Sequence, residues 1–220
     1  SPAVELDGRD VHAAMQFRHF YEYEGTIPAM DSFKRYIREH GIPMSVYFDK
    51  HTTYKSTAEP SIEDELNGTG PLSEFGRALT ELGVKIIHAH SPQAKGRVGR
   101  MFNTLQDRLV KEMTLRNITT IEEANKFLKS YLTSHNKKFA VKPKEQNDLH
   151  RDIHKGMNLD KILCIRTERT LRNDSTIAHN GRLYQIQEAV KPKKVLVEER
   201  VDGKMLITHN DASLKFKEIA

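Results

Sequence analysis

Asp49 combines a residue type and a position along the chain that are suited to catalysis. It directly follows residues 44–48, where the apolar Met44, Val46 and Phe48 alternate with other side chains and predict a short strand. In mixed α/β folds, catalytic carboxylates tend to lie just beyond the carboxyl end of a strand. An aspartate that only caps the following loop would have the same local sequence. The local pattern therefore leaves both interpretations open.

A second informative stretch is HAHSPQAKGRVGRMFNTLQDRLVKEM, residues 88–113. Its first residues continue a short apolar run that predicts a buried strand, and the apolar stripe from Val98 to about Met113 predicts a long helix. Basic side chains flank the start of this helix, extend along it and follow Asp49. They are either solvated residues or contacts to phosphate groups. These candidates are Lys50, Lys95, Arg97, Arg100, Arg108 and Lys111.

The same stretch resembles the signature of DDE transposases and integrases, members of the retroviral-integrase superfamily with a ribonuclease-H-like core. In that signature, a Ser-Pro turn and a Lys-Gly-Arg segment follow a strand and lead into a long helix that carries the third acidic residue. Residues 91–98, SPQAKGRV, match it, and Arg100 matches the arginine after the acidic position. The resemblance runs from about Tyr21 to Ile219 and is closest to insertion-sequence transposases.

The resemblance implies a catalytic set of three acidic residues. Asp49 matches the second, Asp7 in VELDG is the candidate for the first with Asp10 as a weaker alternative, and Gly99 occupies the position of the third, normally Glu. In this family, two divalent cations, Mg²⁺ or Mn²⁺, support strand nicking and strand transfer into target DNA. We therefore expect Asp7 and Asp49 to be the metal ligands, because Mg²⁺ prefers oxygen ligands.

Two departures from the family pattern predict that this copy is catalytically impaired. Gly99 has no side chain to bind a metal ion, and the loop carboxylates Glu63, Asp64 and Glu65 are poor substitutes for a ligand held on a helix. Only about a dozen residues separate Asp7 from Tyr21, fewer than the family's N-terminal hairpin needs. Either that hairpin is missing or Asp7 matches by accident.

The elements expected to position these residues form an α/β, mixed-sheet core. We expect Thr26 to cap the first helix, Gly41 to end it, and Thr119 or Thr120 to cap the last helix of the core. The expected elements are a strand over 14–25, a helix over 26–40, a strand over 44–48, a helix over 73–83, a strand over 84–90, a helix over 98–113 and a helix over 121–136.

We expect three segments: a catalytic core over 1–142, a linker over 143–158 and a small C-terminal β-barrel over 159–220. About five short strands are predicted in the barrel, with two-residue hairpin turns at Asn180-Gly181 and Asp202-Gly203. The basic cluster formed by Lys191, Lys193 and Lys194 is either a DNA contact or a solubilising loop.

Composition narrows the class of protein. The net charge of +5 and the pI of about 9.2 favour a polyanionic partner such as double-stranded DNA. The single cysteine, Cys164, lies in an apolar run and is expected to be a buried strand thiol, which excludes a disulfide framework and a cysteine-only zinc site. No apolar stretch is long enough for a membrane span, and the N-terminus has no secretion signal. A cytoplasmic protein, nucleoid-associated in a prokaryote, is therefore expected.

Three functions remain open. The first is a transposase that acts as a homo-multimer on element ends and target DNA, impaired in this copy. The second is a non-catalytic DNA-binding or assembly protein that keeps the integrase fold. The third, a nuclease with the same core, fits least well, because the Ser-Pro to Lys-Gly-Arg signature and the C-terminal β segment are typical of transposases.

Overall fold

The chain forms two units that divide between Met157 and Asn158. The computed structural model describes residues 19–23, 25–48, 73–88, 107–139, 149–190 and 192–219, and structural statements below concern these ranges. The first unit combines helices with short strands, and the second is almost entirely β-structure. The predicted α/β class is therefore confirmed at this level.

The first unit contains four helices and four short strands within the described ranges. In chain order they are α1 (Thr26–His40), β1 (Ile42–Pro43), β2 (Ser45–Phe48), α2 (Glu74–Glu81), β3 (Lys85–His88), α3 (described over 107–115), α4 (Ile121–Phe139) and β4 (His150–Arg151).

Helix α1 forms where its apolar stripe predicts it. Met30, Phe33 and Ile37 are at most 1% exposed, so one face of the helix is fully buried. The prediction of Thr26 as N-cap is wrong, since Thr26 is already helical and extended Gly25 precedes it without a side-chain cap. Gly41 ends the helix as predicted: its φ is 89° and its N–H donates to Ile37 O.

Helix α2 packs against α1 and leads into β3. Ser73 caps it by accepting a hydrogen bond from Gly76 N at 3.1 Å. The ring of Phe75 is buried and meets the ring of Phe33 edge-on, with centroids 5.7 Å apart. The core of this part of the first unit therefore lies between α1 and α2.

Helices α3 and α4 pack together through Leu109, Leu128 and Leu132, all nearly buried. Of the two predicted caps for α4, Thr120 fills the role, because its Oγ1 accepts from Glu123 N at 3.2 Å. The Glu123 carboxylate reaches back to the backbone N–H of Thr120. This reciprocal pair is a capping box.

The segment before α1 is not the predicted strand where the structure describes it, at residues 19–23. The Asn125 side chain instead satisfies the backbone of Phe20, accepting from Phe20 N at 2.6 Å and donating to Phe20 O at 3.1 Å. The Tyr21 hydroxyl donates to Asp31 Oδ2 at 2.7 Å. Side chains of α4 and α1 thus take the place of a neighbouring strand.

The range 143–158, predicted as a linker, contains strand β4. It pairs antiparallel with β1, with Ile42 opposite Arg151 and Pro43 opposite His150. This pairing joins residues more than a hundred positions apart, which local sequence patterns cannot reveal.

The second unit has one short helix and seven strands among its described residues. These are α5 (Leu159–Ile162), β5 (Cys164–Thr170), β6 (Thr176–His179), β7 (Arg182–Ile186), β8 (Lys194–Arg200), β9 (Met205–His209), β10 (Ala212–Leu214) and β11 (Phe216–Glu218).

The predicted all-β character is right, but the predicted small barrel is not closed in the described part of the chain. The described strands form two antiparallel sheets, of order β10-β9-β8-β5 and β11-β7-β6. The chain changes sheet after β5, where Leu171 N bonds to Lys193 O and Arg172 N to Thr176 O. It returns to the first sheet between β7 and β8, and it changes again at Lys215, whose carbonyl accepts from Gln187 N. The described part of this unit thus has seven strands, where about five were predicted, and the break at Lys215 divides the last predicted segment into β10 and β11.

The apolar core of the second unit is formed by side chains from both sheets. Its buried members are Leu171, Ile177, Tyr184, Ile186, Val195, Val197, Ile207 and Leu214. One face of each sheet therefore contributes side chains to this core.

One of the two predicted hairpin turns has the predicted form. Asn180 and Gly181 both have positive φ, 47° and 76°, as a two-residue type I′ turn requires. The other prediction is wrong in length: Arg200 pairs with Lys204, which leaves a three-residue loop with Gly203 at φ 80°. Such a loop combines a type I turn with a bulge, so Gly203 occupies the bulge position.

Candidate functional site

The candidate catalytic edge is the place where the parallel strands β2 and β3 end. Their register runs from Ser45 opposite Lys85 to Phe48 opposite His88. Asp49 is the next residue after β2, and the SPQAKGR stretch follows β3 after two intervening residues. Because neighbouring parallel strands end at the same edge of a sheet, the two strand ends that precede these segments lie at one edge.

The predicted catalytic residues themselves lie outside the described residues. This holds for Asp7, Asp49 and Gly99, for the alternatives Asp10, Glu63, Asp64 and Glu65, and for the basic residues Lys50, Lys95, Arg97, Arg100 and Lys191. Among the described residues, no group of His, Cys, Asp and Glu side chains could hold a metal ion. The structure thus gives the strands that lead to the predicted ligands, and the ligand positions stay a prediction.

Of the predicted DNA contacts on the long helix, Arg108 and Lys111 are described and exposed. The Lys111 ammonium lies 2.7 Å from Asp107 Oδ1, one helical turn away, and both side chains are more than half exposed. Ion pairs of this kind contribute only a few tenths of a kcal/mol, about 0.3–0.5. Lys111 can therefore exchange Asp107 for another anion at small cost.

Lys193 and Lys194, the other described candidates, lie at the start of β8 and are exposed. Lys194 Nζ contacts Glu168 Oε1 of β5 at 2.5 Å. Both lysines line an open groove of about 620 Å³ that also includes His209 and Asp211. The groove presents charges of both signs, so its two lysines are not a purely cationic surface.

A buried polar cluster in the second unit was not predicted. His179 is 3% exposed, and its Nδ1 accepts from Arg169 Nε at 3.2 Å, which assigns the proton of the neutral ring to Nε2. That Nε2 lies 3.3 Å from Glu199 Oε2 without hydrogen-bond geometry. The cluster joins strands β5, β6 and β8, so we interpret it as structural.

Cys164 is fully buried at the start of β5, as predicted. Its thiol donates to Lys161 O at 3.0 Å. The described part of the chain also contains no helix that is long and apolar enough to span a membrane.

Comparison with known proteins identifies relatives over most of the chain. A protein of Sinorhizobium fredii named as a transposase, y4bF, is 35% identical over 175 residues, 79% of this chain and 37% of that protein. The transposase for insertion sequence IS1202 of Streptococcus pneumoniae is 31% identical over 191 residues, 83% of this chain and 40% of that protein. The chain thus spans about two fifths of the length of these relatives.

Other comparisons add less. No family model matches the chain. A chain in the cryo-EM structure of a simian T-cell lymphotropic virus intasome, bound to a PP2A regulatory subunit, matches 91% of this chain and 66% of its own length. Its TM-score of 0.40 and identity of 14% are too low to support an argument.

The two sequence relatives are each more than 30% identical and are both named as transposases. The resemblance stated from the sequence is therefore confirmed: over most of its length, this chain is a relative of bacterial transposases.

Proposed function

We propose that this chain is the catalytic-core and C-terminal part of a transposase that acts in DNA transposition by metal-dependent strand nicking and strand transfer. The observation that carries the proposal is the sequence similarity to two transposases over about four fifths of the chain. The parallel pairing of β2 and β3 supports it, because these two strands end at one edge and directly precede the segments that carry the family's second and third acidic positions. On this proposal, the first unit has a ribonuclease-H-like core.

The residues at the predicted metal-binding positions are suited only in part to hold a pair of Mg²⁺ or Mn²⁺ ions. Asp7 and Asp49 offer the carboxylate oxygens that Mg²⁺ or Mn²⁺ prefers, whereas Gly99 offers no ligand atom. Bound as a pair, the ions would supply activation of the attacking water or hydroxyl and stabilisation of the leaving oxygen. With one ligand position vacant, we expect weak metal binding and an impaired enzyme.

Contacts with DNA are proposed at the basic residues named above, which would bind phosphate groups and so be sensitive to salt. Arg108, Lys111, Lys193 and Lys194 are exposed, as such contacts require. We also propose that the protein acts as a homo-multimer, because a transposition reaction has to hold two DNA ends together.

The second candidate function is that of a non-catalytic DNA-binding or assembly protein. Gly99 favours it, since a chain without the third carboxylate can still fold, bind DNA and join a multimer. This role needs the exposed lysines and arginines, but it does not need the metal site.

Gly99→Glu distinguishes the two functions and is the first testable prediction. We expect the substituted chain to nick supercoiled plasmid DNA in the presence of Mg²⁺ or Mn²⁺ at least tenfold faster than the chain with Gly99, because the new carboxylate completes the ligand set. Gel separation of supercoiled, nicked and joined products measures the rate.

Gly99→Gln is the matched control, because it adds a side chain of the same size that does not carry a negative charge. Equal nicking by all three chains would contradict the assignment of position 99. Absence of nicking in all of them, with duplex DNA still bound, would favour the non-catalytic role.

A further inference from the structure

Arg151 lies at the C-terminal ends of two helices in the first unit. Its guanidinium Nη2 donates to Leu82 O at 2.7 Å and to Gly83 O at 3.1 Å. These carbonyls follow the last residue of α2, where the helix has no N–H left to satisfy them. A positive charge is also favourable at this end of a helix dipole. Arg151 therefore caps α2 just before the chain enters β3.

The backbone around Arg151 holds the starts of both strands of the candidate catalytic edge. Strand β4 pairs with β1 immediately before β2. Leu149 O accepts from Met44 N at 3.1 Å, and Met44 O in turn accepts from Lys85 N at 2.9 Å. One short segment, residues 149–151, thus contacts the start of β2 through its backbone and the approach to β3 through a side chain.

Two glycines make this close packing possible. A Cβ on Gly41 would lie 2.8 Å from Arg151 O, and a Cβ on Gly83 would lie 3.2 Å from Arg151 Nη2. Both glycines have positive φ, 89° and 66°. The ends of α1 and α2 therefore approach the same arginine from two sides, and at Gly41 the approach to its backbone is closer than a larger residue would permit.

The described ladder between β2 and β3 is too short to fix its own register firmly. It comprises four residue pairs, and parallel pairing is slightly weaker per residue than antiparallel pairing. A slip by one residue would displace a strand end by about 3.3 Å and turn its side chains to the other face. Metal ligation tolerates errors of only about 0.2 Å.

We propose that Arg151 is a positioning residue that sets the register of β2 against β3, and through it the positions of the two strand ends at residues 48 and 88. The register claim stands on the contacts of residues 149–151 with α2, β1 and the start of β2, and it does not depend on the proposed function. Its importance for metal-dependent chemistry rests on the proposed function.

Hydrogen exchange tests the register claim without any catalytic activity. In Arg151→Gln, the backbone N–H groups of Lys85 to His88 are expected to exchange at least tenfold faster than in the unsubstituted chain, because local opening of β3 becomes easier. Arg151→Lys keeps the charge but not the forked donor, so an intermediate effect is expected. The N–H groups of β8, in the second unit, are the internal reference.

Arg38→Gln is the matched control, since Arg38 is an exposed arginine in the last turn of α1. It removes the same charge and should leave β3 exchange unchanged. Unchanged exchange of β3 in Arg151→Gln would overturn the proposal, as would equal acceleration in Arg38→Gln. If Arg151→Gln does not fold, the exchange of β3 is measured in Arg151→Lys instead, and unchanged exchange in that variant would overturn the proposal.

Measurement of plasmid nicking distinguishes a failure of this inference from a failure of the proposed function. In a chain that also carries Gly99→Glu, Arg151→Gln is expected to lower the rate of plasmid nicking at saturating DNA about tenfold without changing the affinity for DNA. Faster exchange of β3 with an unchanged nicking rate would refute the positioning role. A Gly99→Glu chain without activity would refute the proposed function, and hydrogen exchange would still decide the register claim.

Discussion

At the scale of single residues, Tyr21 shows how one polar group can fix a segment that lacks regular structure. Its hydroxyl donates to Asp31 Oδ2 and accepts from Ser32 Oγ at 3.1 Å. Burial raises the pKa of Tyr21 to about 12, with the carboxylate of Asp31 adding to the rise while Ser32 and Arg35 oppose it. The folded chain thus binds the phenolic proton more tightly than the unfolded chain does.

This difference predicts a loss of stability at high pH. Because the folded pKa of about 12 lies above the unfolded value of 10, the stabilisation is complete below pH 10 and is lost as the pH rises toward 12. About 1–2 kcal/mol of the free energy of unfolding is involved, after allowance for solvent screening. Tyr21→Phe should therefore be less stable than the unsubstituted chain at pH 8, and the difference should shrink above pH 10.

Urea denaturation at a series of pH values measures this difference, and Tyr23→Phe is the control, since Tyr23 is 60% exposed. A stability gap between the unsubstituted chain and Tyr21→Phe that stays constant up to pH 12 would refute the prediction. So would the same pH dependence for both substitutions.

At the scale of elements, the close approach of Gly41 to strand β4 predicts an unusually costly substitution. In Gly41→Ala the new methyl group would meet Arg151 O at 2.8 Å, and the backbone at φ 89° disfavours any L side chain. We expect a loss of about 2–4 kcal/mol in the free energy of unfolding, from backbone strain and overpacking together.

Gly156→Ala provides the comparison for Gly41→Ala. Gly156 also has a positive φ, 97°, but an added Cβ would find no atom within 4 Å. Its substitution should therefore cost only the backbone term, about 1–2 kcal/mol. Equal losses for the two alanine variants in urea denaturation would show that the contact with β4 does not matter.

Elements with a local signal could be predicted from the sequence. Helix α1 followed from its apolar stripe and Gly41, and the hairpin at Asn180 followed from the Asn-Gly pair. The Asn210-Asp211 turn, with φ of 46° and 65°, was missed even though both residue types tolerate this conformation. Strand β4 and the two-sheet layout could not be predicted, since they depend on pairings between distant segments.

In the candidate site, too, features with a local sequence signal could be predicted, and features that depend on distant segments could not. The position of Asp49 directly after a strand could be predicted, because alternation marks the strand and the acidic residue follows it. The role of Arg151 could not, because its two carbonyl partners lie 68 and 69 residues earlier in the chain. No local pattern distinguishes this arginine from an ordinary solvated one.

At the scale of the whole molecule, the net charge of +5 supports binding to DNA but does not locate the contact. Lys193 is exposed and shows no ion pair within the described part of the chain, whereas Lys204 pairs with Asp202 Oδ2 at 3.3 Å. If Lys193 contacts a phosphate group, Lys193→Ala should reduce the slope of log affinity against log salt by about 0.9 for duplex DNA.

Lys204→Ala changes the net charge equally and is the control for this measurement. Fluorescence anisotropy with a labelled 30-base-pair duplex at several salt concentrations gives the slope for each chain. Equal slopes for the two variants would mean that Lys193 contributes only through the overall charge.

The single buried cysteine has a practical consequence for work in solution. Because Cys164 is the sole thiol in the chain and is closed off at the start of β5, a thiol reagent reaches it only when this part of the second unit opens. The rate at which Cys164 is modified therefore measures how often this part of the second unit opens, and no engineered label is needed. A cysteine introduced on the surface would react first. A fluorophore can therefore be attached there selectively, while Cys164 stays unmodified and its slower reaction can still be measured.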